Sequence, residues 1–348
     1  MTAAIKSQGP AVKAHSARNG QGHAAAEVDP DGLQPAGLPA PAPGPRRHCL
    51  DLDDYSAEEI RQVLDTADAM KEILARPVKK APGLRGRMVV NCFYEASTRT
   101  RVSFEVAAKN LSADVVNFSA GGSSVEKGES LIDTARTLVA LGANVIVIRH
   151  SMAGAPHVVA RNAGAAVINA GDGRHAHPSQ ALLDLYTIRE RLGGLAGLRV
   201  AIVGDVLHSR VARSNIHGLT RMGAEVILCG PATLLPVNLQ LAGMRFEHDL
   251  DAILPQADVV MPLRIQKERA EGGLIPSLRE YRQRYGVTTE RLRRMRPGAL
   301  IMHPGPMNPG VEIDPEVATS PQSVIESQVS NGVAIRMALL YLLAGVAV

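Results

Sequence analysis

The chain has 348 residues, enough for about two domains of ordinary size, each with a sizeable core. Hydrophobic residues make up 45% and charged residues 21%, with 32 Gly and 22 Pro, which excludes collagen-like, wholly disordered and disulfide-scaffold chains. A formal net charge of +4 with no Trp, 4 Phe and 6 Tyr is far from the basic, aromatic-rich surface of a nucleic-acid binder and suits small anionic ligands.

Residues 1–45 are rich in Pro, Gly and Ala, lack aromatic residues and show no sustained apolar period, so they are expected to form a disordered extension. Its bases Lys6, Lys13 and Arg18 precede its first acid, Glu27, which leaves an organelle-targeting peptide as the alternative to a tail or assembly arm. The Pro-rich composition argues against the amphipathic helix such a peptide needs. Order is predicted from Arg46. Ser56 and Glu59 form a capping box ahead of Ile60, Val63, Leu64, Ala67 and Met70, which share one helical face.

Short β-rich runs then alternate with helical stretches: Met88 to Tyr94, Val115 to Phe118, Val145 to Arg149 and Val167 to Asn169. After the Gly193-Gly194 break a second series reads Arg199 to Val203, Glu225 to Cys229, Val259 to Leu263 and Ala299 to Met302. The alternation predicts an α/β fold of two doubly wound parallel-sheet domains joined by helices. The expected boundaries are 46–178 for the first domain, completed by a C-terminal helix over 328–348, and 179–327 for the second. Cys49, Cys92 and Cys229 are widely spaced and lack zinc-site pairing, so a cytoplasmic, reducing setting with neither disulfide nor structural metal is expected. The apolar run Met337 to Val348 is shorter than the roughly 20 residues a bilayer span needs, and reads as a buried helix.

Ligands of doubly wound sheets bind beyond the carboxyl ends of the strands, and those loops are unusually polar here. After the first strand come Ser97, Thr98, Arg99, Thr100 and Arg101 at the start of a helix, where hydroxyls, free N–H groups and guanidinium suit a phosphate or carboxylate. An N-cap with a solvated charge run explains one of these hydroxyls, not three beside two arginines. The loop Ser119 to Ser130, with Ser123 and Lys127, reads by itself as a flexible Gly/Ser connection. Arg149 ends the third strand, and His177 and Gln180 lie three residues apart at the start of the inter-domain helix, able to face one cleft. His175 and His177 lack a nearby Cys or a helical His partner, so hydrogen bonding is preferred to metal binding for His177. In the second series Gly204 opens a loop without the G-x-G-x-x-G of a dinucleotide site, and Arg210 stands where the pyrophosphate turn would be. Arg264 and Gln266 alternate on one side of an extended segment, and His303-Pro304-Gly305-Pro306 closes the rim with a stiff turn.

Together, Ser97-Thr98-Arg99-Thr100-Arg101, His177-Pro178-Ser179-Gln180, Asp205 with Arg210, Arg264 to Arg269 and His303-Pro304-Gly305-Pro306 closely resemble the catalytic chains of the aspartate carbamoyltransferase family, from about Arg46 to the C-terminus. The first motif marks carbamoyltransferases as a group, and those of the second domain point to the aspartate branch. The strings Gly171 to Pro178 and Gly204 to Ser214 resemble a bacterial class whose N-terminally extended chain assembles with a dihydroorotase-like partner.

The resemblance implies transfer of a carbamoyl group from carbamoyl phosphate to the α-amine of L-aspartate in pyrimidine synthesis, without metal or organic cofactor, nucleic acid or membrane. It implies that 46–178 binds carbamoyl phosphate and 179–327 aspartate. Ser97, Thr98, Arg99, Thr100 and Arg149 would hold the phosphate; Thr100, Arg149 and His177 would face the carbonyl oxygen, and Gln180 the carbamoyl NH₂. Arg210, Arg264 and Gln266 would hold aspartate, Pro304 and Gly305 would close the site, and Ser123 and Lys127 would reach the neighbouring subunit of a homotrimer, Lys127 toward its aspartate. One departure is Asn308-Pro309-Gly310, where many relatives have Asn-Arg-Gly. Ornithine carbamoyltransferase is the nearest alternative, but its second substrate carries an ammonium and calls for acidic or thiol partners; its His-Cys-Leu-Pro motif is absent. A noncatalytic anion-binding subunit is the alternative from another class.

Overall fold

The structure is a computed structural model that describes residues 46–119, 129–236, 239, 241–265 and 272–344. Helix α1 (Ala57–Ala75) opens with the expected capping box: Ser56 Oγ accepts from the Glu59 N–H and the Glu59 carboxylate from the Ser56 N–H. Its five predicted apolar positions are buried.

The first sheet comprises β1 (Met88–Phe93), β2 (Asp114–Ser119), β3 (Ala143–His150) and β4 (Ala166–Asp172). These strands are parallel in the order β2-β1-β3-β4, with α2 (Thr98–Asn110), α3 (Leu131–Ala140) and α4 (Ala155–Asn162) as crossovers. Helix α5 (Pro178–Leu192) leads to the second sheet. There β5 (Arg199–Val203), β6 (Glu225–Cys229), β7 (Met244–Glu247), β8 (Val259–Pro262) and β9 (Leu300–Ile301) run parallel in the order β7-β6-β5-β8-β9, with α6 (Arg210–Arg221) after β5. The strand β7 is an addition to the eight predicted: its four residues are all only half-buried at the sheet edge, so its sequence lacks an apolar run.

The C-terminal helix, Ile325–Ala344, packs against α1, α2 and α5. It is apolar nearly all round because neighbours cover most of it, with Ala334, Ile335, Met337, Ala338, Leu339 and Leu340 buried. Burying one such Leu contributes about 1.5–3 kcal/mol. Among the described residues no helix is long and apolar enough to cross a membrane.

Strand order sets where a ligand can sit. In the first sheet the chain reverses its direction of travel between β1 and β3, and in the second between β5 and β8. The crevice at such a switch point is not covered by a crossover helix, so loops leaving those four strands are free to line it.

Candidate active site

The loops from these switch points, joined by the segments that follow β4 and β9, line a common cleft of about 740 Å³. From the first sheet come Ser97, Thr98, Arg99 and Thr100 after β1, Arg149 from β3, and His177 and Gln180 beyond β4; from the second come Arg210, Arg264, Pro304 and Gly305. The sequence reading thus finds eleven of its fourteen proposed residues in one cavity, while Ser123, Lys127 and Gln266 lie outside the described residues.

Ser97 is the N-cap of α2, yet its side chain makes no capping bond. Its hydroxyl, those of Thr98 and Thr100 and the unpaired N–H groups of the first helical turn therefore border the cavity together. The partial positive charge of the helix end adds to this preference for an anion. Arg99 comes from this turn and Arg264 from the segment after β8; neither forms an ion pair among the described residues. Burial, and then the nearby charge of Arg264, lowers the Arg99 pKa, so the two cations oppose each other across the cleft until an anion joins them.

Arg149 and Arg210 are held differently. Both pair with Glu95: Arg210 donates from Nη2 to Oε1 at 2.6 Å and from Nη1 to Oε2 at 3.2 Å, and Arg149 makes a close ion pair with Oε1. Arg149 also donates to the Ala170 carbonyl at 3.3 Å, and Arg210 to that of Gly173 at 3.2 Å. Burial pushes the Glu95 carboxyl up, but Arg210 and then Arg149 more than reverse this and hold it below its ordinary range. Gly171 sits beneath both guanidiniums with φ +114°. A Cβ there would stand 3.0 Å from Arg210 Cζ and 3.3 Å from Arg149 Nη1, so both backbone and packing favour glycine.

His177 is the N-cap residue of α5 and is buried; its backbone N–H donates to Ser214 Oγ at 2.9 Å. Burial, then the charges of Arg149, Arg210 and Arg336, lowers its pKa well below the ordinary histidine value. The imidazole is thus neutral at physiological pH and can donate from one ring nitrogen only. Its Nδ1 has no hydrogen-bond partner among the described residues. Gln180 is held one turn on by Asp184, whose carboxylate accepts from Gln180 at 3.0 Å, Gln328 at 2.7 Å and Asn215 at 2.8 Å. Burial pushes Asp184 up to about 7 despite these donors. Gln328 Oε1 in turn accepts from the His303 N–H at 2.9 Å, which ties the closing turn to the same network.

The supporting residues Glu95, Asp184 and Gln328 were not assigned roles from sequence. The signal for Asp184 is its place four residues after Gln180, on the same helical face. Arg336 also lines the cleft, buried, donating to Ser103 Oγ at 3.1 Å, with its guanidinium 5.2 Å over the Phe104 ring. Burial lowers its pKa to about 10. A lone cation in the apolar stretch Val333 to Leu343 is the sequence signal for it. The departure at Pro309 lies on an exposed turn, while its neighbour Asn308 donates to the Ile265 carbonyl at 2.6 Å.

Comparison with known proteins gives the same architecture. Residues 47–190 match the family model of the aspartate/ornithine carbamoyltransferase carbamoyl-P binding domain, and residues 196–343 that of the Asp/Orn binding domain. The chain is 62% identical over 304 residues to the aspartate carbamoyltransferase catalytic subunit of Chloroflexus aurantiacus, covering 86% of this chain and 99% of that one. Among solved structures it is similar to aspartate transcarbamoylase of Trypanosoma cruzi in complex with carbamoyl phosphate, with a TM-score of 0.79 and 30% identity over 85% of this chain and 95% of that one. It is also similar to ornithine carbamoyltransferase of Pyrococcus furiosus, with a TM-score of 0.78 and 30% identity over 87% and 98% of the two chains. With both domain models matched in order and strand loops meeting at one arginine-lined cleft, the chain belongs to the aspartate/ornithine carbamoyltransferase family.

Proposed function

We propose that this chain is an aspartate carbamoyltransferase, transferring the carbamoyl group of carbamoyl phosphate to the α-amine of L-aspartate to give N-carbamoyl-L-aspartate and phosphate. The observation that carries the reading is the shared cleft in which Arg99, Thr100, Arg149 and His177 from one sheet face Arg210 and Arg264 from the other. Two mutually repelling acids require cations from both sides, and correct placement of reactants can itself supply several kcal/mol of the barrier reduction, up to about 7–11 kcal/mol in well-oriented cases.

In this reading Ser97, Thr98, Arg99 and Thr100 bind the phosphoryl group, with Arg149 reaching its edge. The α-amine attacks the carbonyl carbon, and negative charge builds on the carbonyl oxygen. Thr100, Arg149 and neutral His177 donate hydrogen bonds to that oxygen, while Gln180, oriented by Asp184, fixes the carbamoyl NH₂. As the new C–N bond forms, the carbon–oxygen bond to phosphate breaks, and the departing phosphate takes the proton lost by the amine. No covalent intermediate is needed. The cysteines fit a structural role: all three are buried, and burial pushes each thiol up to about 12, away from the nucleophilic thiolate.

Arg210, Arg264 and Gln266 hold the aspartate carboxylates, and Pro304 and Gly305 border the site. The preference for aspartate over ornithine is supported by the arginines on the second sheet's side and by the 62% identity to a named aspartate enzyme. We also infer a homotrimer in which Ser123 and Lys127 enter a neighbour's cleft, and an N-terminal arm for a dihydroorotase-like partner. Assay with carbamoyl phosphate and either L-aspartate or L-ornithine tests the activity: carbamoyl-aspartate formation is expected, whereas carbamoylation of ornithine alone, or binding without turnover, rejects it. Mixing Lys127→Ala with Arg264→Ala chains should restore part of the activity if sites are shared between subunits.

A further inference from the structure

Beside the cleft, three segments bring His157, Asp172 and His175 together: the first turn of α4, the end of β4 and the turn before α5. One ligand-type atom from each lies within 4.8 Å of the other two; Asp172 is fully buried and both imidazoles are partly buried. We propose that these residues form a binding site for a divalent ion of the zinc class.

The second observation is His157 itself. Its Nδ1 is buried with no hydrogen-bond partner among the described residues, and its ring meets that of His175 edge-on, with centroids 5.6 Å apart. His175 is oriented from both ends: Nδ1 lies 3.2 and 3.1 Å from the two Asp172 oxygens, and Nε2 lies 3.3 Å from Asp51 Oδ2. An ion entering between Nδ1 and Asp172 replaces the proton shared there and releases it to solvent. Nε2–H then donates to Asp51, a carboxylate–histidine–metal arrangement that fixes the ligand's tautomer. Asp172 is held for this role by the Gly154 N–H at 2.7 Å, Asn169 at 2.9 Å and the Ala176 N–H at 3.0 Å.

Charge favours the cation. The positive end of α4 and Arg161 oppose it, but Asp172 and Asp51 flank the site and Asp53 adds to the field around both histidines. Two imidazoles and one carboxylate, with a position left for water, suit zinc or cobalt better than magnesium or calcium, which favour all-oxygen shells. The bound ion would brace the turn whose Gly173 carbonyl accepts from Arg210 and which leads into His177. Reading spacing along the chain compares His175 with His177; the fold supplies His157 from another element.

Full-length, untagged, chelator-treated protein titrated with Zn²⁺ alone is expected to take up one equivalent per chain and to melt at a higher temperature. Co²⁺ in its place should give the visible absorption of a four-coordinate ion. His157→Gln and, separately, His175→Gln should each weaken Zn²⁺ affinity by about tenfold or more, comparing metal-free variants of unchanged secondary structure. No saturable uptake by the parent chain, or uptake undiminished in either variant, overturns the proposal.

Discussion

The cleft holds its cations in two ways, and each sheet edge supplies one arginine pinned by Glu95 and one without an ion pair among the described residues. Arg149, on the first edge, is nearly buried, bridged to Glu95 and to a backbone carbonyl, so its orientation is set before a ligand arrives. Arg264, on the second edge, is exposed and enters no ion pair among the described residues. A fixed cation suits a charge that exists only in the transition state; a free one suits a substrate that must first be captured.

The sharpest way to break this comparison is to remove one arginine from each edge. Arg149→Ala is expected to lower kcat by about 10²–10³, the usual cost of losing an oxyanion donor, with a smaller effect on aspartate KM. Single-turnover and steady-state rates check this. Arg264→Ala should chiefly raise aspartate KM, by about ten- to a hundredfold, corresponding to roughly 1.5–3 kcal/mol for a charge-assisted hydrogen bond. Equal loss of kcat in both variants would erase the proposed division of labour.

The C-terminal helix provides a contrast between site and scaffold. Leu340→Ala should cost about 2–5 kcal/mol of stability in denaturant titration through the cavity it leaves, while the folded fraction retains near-normal KM values.

His177 sharpens the comparison through pH. Because its folded pKa lies well below the ordinary histidine value, the unfolded chain binds more protons as pH falls below that value, and stability drops with it. His177→Gln should therefore flatten the loss of stability between about pH 6.5 and 5, as read by melting temperature against the parent. It should also slow turnover at every pH rather than remove one limb of the profile. The smallest effect is expected from Pro309→Arg: on an exposed turn, a restored charge should change the aspartate concentration dependence by less than about threefold.

Most of the fold was legible because each strand of the two buried sheets carries its own apolar run, as in Val145 to Ile148, and each loop at the carboxyl end breaks it with charge. The edge strand β7 was not, since Met244-Arg245-Phe246-Glu247 has no apolar run, and its alternation, with Met244 and Phe246 packed on the core, spans only four residues. The cleft residues were legible where they cluster in motifs. Glu95 and Asp184 were not, because an acid in an anion-binding site makes sense only when its arginine and amide partners are seen from three dimensions. His157 is the extreme case: nothing in its neighbourhood along α4 points to Asp172 or His175.

Glu95 also bears on the energetics of ligand entry. Arg149 comes from the first sheet and Arg210 follows β5 of the second, and one carboxylate joins them. That carboxylate serves as a resident counter-anion, offsetting the water both guanidiniums lose on burial and keeping them side by side. An arriving acid then trades places with, or shares, a charge already at home, so docking resembles ion exchange more than the stripping of two bare cations.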